Sequence, residues 1–108
     1  MRQKKSTEAR AWLKRNKNKH GFASNRFGET ANARSAVQRL YAAGAKKVLV
    51  SGIRDEARRI EHEGGPYADT LLVVLPRGAK RDQVMMVADD LEPDESGFDR
   101  GRLRLWWD

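Results

Sequence analysis

The sequence predicts a two-layer α/β sandwich of the α+β kind, in which helices pack on a small, mixed, three- or four-stranded sheet. Three observations predict it. Apolar, β-branched runs at 46–53 and 70–75 lie between segments of helical periodicity, and the chain closes on an alternating apolar run at 102–107. A chain of 108 residues has material for one core, so residues 21–108 are assigned to a single α/β domain preceded by a basic helix or arm at 1–20.

Taken in order, Ser6 or Thr7 is expected to cap a short basic helix, because Ala9, Trp12 and Leu13 share one face while Arg10, Lys14 and Lys17 lie on others. That helix stops in Asn16-Lys17-Asn18-Lys19-His20-Gly21. A helix this short is marginal alone, so Trp12 and Leu13 are expected to dock on the body. Gly28-Glu29-Thr30 opens a second helix whose Ala33, Ala36, Val37, Leu40 and Tyr41 form one stripe ending at Gly44. The runs through Val48-Leu49-Val50 and Thr70-Leu71-Leu72-Val73-Val74-Leu75 do not alternate with polar residues and read as buried strands. Between them, residues 54–63 fit a short helix or an extended hairpin arm equally, followed by a Gly64-Gly65-Pro66 turn. Residues 79–91 form a helix with Val84, Val87, Ala88 and Leu91 inward, ending before Pro93. In the final strand Leu103, Leu105 and Trp107 face the core, and Arg102, Arg104 and Trp106 face away.

The order helix, strand, strand, helix, strand is partly ferredoxin-like, with the first two strands antiparallel and the third reached by a right-handed crossover. A missing first strand would fall near Phe22–Phe27, but Ala23-Ser24-Asn25-Arg26 is poor strand material, which favours three strands.

Charge is unevenly placed. Residues 1–20 hold eight basic residues (Arg2, Lys4, Lys5, Arg10, Lys14, Arg15, Lys17, Lys19) against Glu8 alone, whereas residues 21–108 hold fourteen basic and fourteen acidic. The net +7 therefore belongs to the first segment, and residues 89–99 carry Asp89, Asp90, Glu92, Asp94, Glu95 and Asp99 with no basic residue. The basic segment has three readings: a solvated surface helix, a partner for the acidic segment in the same or a neighbouring chain, or a binder of nucleic-acid phosphates.

The absence of cysteine excludes disulfides, thiolate metal sites and thiol nucleophiles. No run approaches a membrane span and the basic start leads into no apolar leader, so a cytoplasmic protein without a membrane partner is expected. There is no phosphate-binding glycine loop, zincin motif or nucleophile elbow, and no cofactor is predicted. Glu61, His62 and Glu63, with Asp69, are the candidates for a metal or acid–base site, set against a solvated charged face and a turn-capping carboxylate. His20-Gly21-Phe22-Ala23 matches the start of an RNA-recognition aromatic strand, but Ser24 breaks it.

Tyr67-Ala68-Asp69-Thr70-Leu71, Leu40-Tyr41-Ala42-Ala43-Gly44-Ala45 and the terminal Leu105-Trp106-Trp107-Asp108 give the chain a resemblance to small uncharacterised bacterial proteins over residues 25–108. The resemblance implies an intact single domain and transfers no activity, cofactor or site residue.

The reading for function is a non-enzymatic module acting by protein contact or self-association as a homo-oligomer, with Arg102, Arg104 and Trp106 as its surface. The alternative is nucleic-acid binding through the eight basic residues of 1–20, and a second alternative is an enzyme or metal site around Glu61, His62, Glu63 and Asp69.

Overall fold

Two apolar runs that cannot both face water find each other as neighbours. In the computed structural model, which describes residues 6–108, strand β2 (Lys47–Ser51) pairs antiparallel with β3 (Thr70–Val74), Val48 opposite Val73 and Val50 opposite Leu71. On the other side of β3, strand β5 (Arg102–Trp106) sets Leu105 opposite Leu71 and Leu103 opposite Val73. The two registers place Val48, Val50, Leu71, Val73, Leu103 and Leu105 on one face, all buried. Helices α1 (Ala9–Arg15), α3 (Thr30–Ala43) and α5 (Ala79–Asp90) supply the second layer. Helix α1 packs on α3 and β2, with Ala9, Trp12 and Leu13 buried, so residues 6–20 share the core of the rest of the chain.

The sheet has five strands, not three or four, and every neighbouring pair is antiparallel where a mixed sheet was expected; with the added strands β1 (Ser6–Glu8) and β4 (Glu95–Asp99) its order is β1-β2-β3-β5-β4. The two added strands come from polar segments. β1 (Ser6–Glu8) pairs with β2, Thr7 opposite Val50, at the position where Ser6 or Thr7 was expected to cap a helix. The cap is Glu8, whose carboxylate accepts from the backbone N–H of Arg10 at 3.0 Å and Ala11 at 2.8 Å. β4 (Glu95–Asp99) rises from the acidic segment and pairs with β5 through the two-residue turn Arg100-Gly101, both with positive φ, the geometry that matches strand twist in a hairpin. The ferredoxin-like likeness stops at one split unit, β3-α5-β4 with β5 between, because β1 sits at an edge beside β2.

Within residues 54–63, Ala57–Glu63 form a helix, α4, with no buried residue, and Arg54 makes an antiparallel bridge to Tyr67. Around Phe22 there is no strand; α2 (Ser24–Phe27) is one helical turn, and Phe22, Phe27 and Trp107 form a buried aromatic cluster with ring centroids 5.1–6.0 Å apart. Among the described residues no helix is long and apolar enough to cross a membrane.

One polar contact ties β1 to the helix layer. The Tyr41 hydroxyl donates to Glu8 Oε2 at 2.6 Å and accepts from the Val48 N–H at 3.0 Å, while the Arg10 guanidinium lies 4.0 Å from the Tyr41 ring centre. Burial pushes the Glu8 carboxyl up, but the bonds from Tyr41, Ala11 and Arg10 outweigh it and hold the group below its ordinary range. Burial, then the bond to Glu8, pushes Tyr41 above its ordinary value. A lowered carboxyl stabilises the fold above its unfolded pKa and loses that contribution as pH falls through the folded value. A raised phenol contributes below its unfolded pKa and loses it as pH rises through the folded value. Stability is therefore expected to drop at both extremes, and Glu8→Ala should cost about 2 kcal/mol at neutral pH and flatten the acid limb, read from urea midpoints across pH.

Candidate nucleic-acid interface

The basic segment is built by a simple alternation. Helix α1 sends Ala9, Trp12 and Leu13 inward at helical spacing, which leaves Arg10, Lys14 and Arg15 in water. Beyond it the chain has no regular structure and turns at Lys19-His20, and in Asn16-Lys17-Asn18-Lys19 the asparagines turn inward and the lysines outward. Asn16 Nδ2 donates to the Pro66 carbonyl at 2.9 Å, and its Oδ1 accepts from the Asn18 N–H at 3.0 Å. Asn18 is buried, accepts from the His20 N–H at 3.0 Å, and directs its amide toward the Gly65 carbonyl; its own carbonyl accepts from the Thr30 hydroxyl at 2.6 Å. Gly65 is required here, since a Cβ would overlap Asn16 Oδ1 and approach the Asn18 nitrogen to 3.0 Å. Lys17 and Lys19 are thus displayed from an anchored backbone.

Most of these cations have no ion-pair partner among the described residues. Arg10 reaches Glu8 at 3.9 Å, but Lys14, Arg15, Lys17 and Lys19 make no ion pair among the described residues. Arg2, Lys4 and Lys5 lie outside the described residues. Among the described residues no cation of 6–20 pairs with the acidic segment, and the strands that adjoin the two, β1 and β4, are opposite edges of the sheet. The acids instead meet cations of the body: Arg39 with Asp90 at 2.6 Å, Arg26 with Glu92 at 3.8 Å and Arg104 with Glu95 at 3.9 Å.

The sheet face opposite the helices carries the second group of cations. β-Strand alternation brings Arg102, Arg104 and Trp106 there, half-buried, and Trp12 and Leu13 lie on the other side in the core. A groove of about 580 Å3 runs over this face, lined by Ser6, Ser51, Leu72, Asp99, Arg100, Arg102 and Arg104. Arg100 and Arg102 have no ion-pair partner among the described residues. Arg100 and Ser51 were not singled out from the sequence, and Ser6 only as a helix cap; strand register brings the three to one place.

The acid–base candidates do not converge. Asp69, buried at the start of β3, accepts from Arg54 at 3.2 Å and from the Thr70 hydroxyl at 3.0 Å. Glu63 instead accepts from Arg59 at 3.5 Å and Asn18 at 3.4 Å, and Glu61 and His62 are exposed on α4. Among the described residues no group of three acidic, histidine or cysteine side chains is placed to hold a metal ion. Phe22, expected as a presented ring only if an RNA-recognition strand were present, is buried.

No protein-family model, curated protein or solved structure matches the chain.

Proposed function

We propose that this protein is a nucleic-acid-binding domain that grips the phosphate backbone through the end of α1 and the loop beyond it. The observation that carries the reading is the set Lys14, Arg15, Lys17 and Lys19, four exposed cations without ion pairs among the described residues, on an anchored stretch of chain. Lys14 and Arg15 have a structural use, since cations in a last helical turn complement the helix dipole by about 0.3–1 kcal/mol each. Lys17 and Lys19 lie past that turn, where the dipole accounts for neither. Clustered cations repel each other, and a polyanion relieves that repulsion while releasing its own counterions.

Self-association is favoured by one observation, the edge strand β4 with Phe98 exposed. Antiparallel pairing of two β4 strands about Gly97 would set Glu95 against Asp99 twice, and like charges directly opposed are destabilising, so this reading is the weaker one.

The test is an anisotropy titration of the full chain with labelled single-stranded and duplex oligonucleotides across salt. Contacts from these four cations contribute about −3 to the slope of log affinity against log salt on a single strand and about −4 on a duplex. A flat salt response, or no binding to either at low salt, overturns the proposal.

A further inference from the structure

We infer that the ligand is single-stranded, and that it follows a bent track from the helix-free face of the sheet, round the β1 edge, to the end of α1. This rests on the reading of the protein as a phosphate-backbone binder. Three hollows form the track and share walls. The groove over the sheet face meets a second hollow of about 460 Å3 at Ser6, and that hollow meets a third of about 300 Å3 at Asn16. Cations occur along its whole length: Arg100, Arg102 and Arg104 on the face, Arg15 at the edge, then Lys17 and Lys19. Three acids, Asp99, Asp55 and Glu29, also line it, so the balance is positive without being uniform.

Shape decides between the two forms of nucleic acid. The track passes from one layer of the molecule to the other within a body of 44 × 33 × 23 Å. A duplex, with a persistence length of about 50 nm, does not bend round the edge of one small sheet, so it reaches one end of the track and leaves the other empty. A single strand bends freely and exposes its bases. The middle hollow offers them apolar walls, Trp12, Ile53, Ile60 and Pro66, which favour bases without reading their identity. Trp106 shares the sheet face with Arg104 and is the one tryptophan that is not buried, so it reports occupancy of that face.

The experiment uses the full chain, a labelled single strand of about 20 nucleotides and the matching duplex, with the variant Arg100→Asn/Arg102→Gln. Asparagine tolerates the positive φ of residue 100, which preserves the hairpin. Two lost contacts should weaken the single strand on the order of tenfold and lower its salt slope by about 1.4, with the duplex changed far less. Independently, the single strand should change tryptophan emission in the native chain, and Trp106→Phe should remove most of that change, the remainder coming from Trp12 in the wall of the middle hollow. Unaltered single-strand affinity in the double variant, or an emission change that Trp106→Phe leaves undiminished, overturns the track. If that affinity still falls when Lys14, Arg15, Lys17 and Lys19 are neutralised, phosphate binding survives without the track. Absence of binding to either oligonucleotide removes both.

Discussion

Trp107→Ala should lower the unfolding free energy by about 3–5 kcal/mol, the largest single-residue effect expected in this fold. The indole is fully buried, with its ring centre 5.1 Å from that of Phe27 and 5.9 Å from that of Phe22. Its Nε1 donates to the Leu91 carbonyl at 2.9 Å, and its backbone N–H donates to the Asp69 carbonyl at 3.2 Å. One side chain therefore joins the last residues of the chain to the end of α5 and to the α2 turn. Truncation loses the transfer free energy of the ring, leaves a cavity bounded by two phenylalanines, and takes one donor from a buried carbonyl. A domain of this size has about 5–15 kcal/mol in total, so the variant should melt roughly 20 °C lower or fail to fold at 37 °C. Trp106→Ala, one residue away and half-buried on the opposite face, should cost about 1 kcal/mol. Guanidinium denaturation of the two variants reads the difference, and equal losses would mean that the strand is turned over.

That alternation was legible in the sequence, as were the apolar runs of β2 and β3 and the stripes of α3 and α5, because each must bury a face and burial imposes a period. The two edge strands were not. β1 is three polar residues held by backbone pairing, and β4, Glu-Ser-Gly-Phe-Asp, is exposed along its whole length, so neither carries a hydrophobic period. The one local signal for β4 was Arg100-Gly101, a residue followed by glycine where a primed turn needs positive φ. In the candidate site the lysines and arginines were legible as charge, but their presentation was not. Burial of Asn18 depends on carbonyls 47 and 48 residues further along the chain, and nothing in Asn-Lys-Asn-Lys announces them. The same holds for the groove, where Ser6, Ser51 and Arg100 come together only through a register across five strands.

Replacing Lys14, Arg15, Lys17 and Lys19 together by glutamine should weaken nucleic-acid binding on the order of 100-fold at low salt. All four side chains are exposed and without ion pairs among the described residues, so their removal takes little from the fold beyond a few tenths of a kcal/mol of helix-dipole interaction each at Lys14 and Arg15. Each phosphate contact on a single strand contributes about 0.7 to the salt slope, so the variant should also lose about 2.8 of it. That pairing separates a backbone grip from a general loss of charge at a distance, which would lower affinity with a smaller change of slope. The decisive measurement is anisotropy of one labelled single strand with the native chain and with this four-residue variant, both at about 50 mM and 200 mM salt. The proposed interface predicts tight, salt-sensitive binding by the native chain, and in the variant a large loss of affinity with the salt slope reduced by about 2.8. Equal affinity of the two proteins at low salt would contradict it.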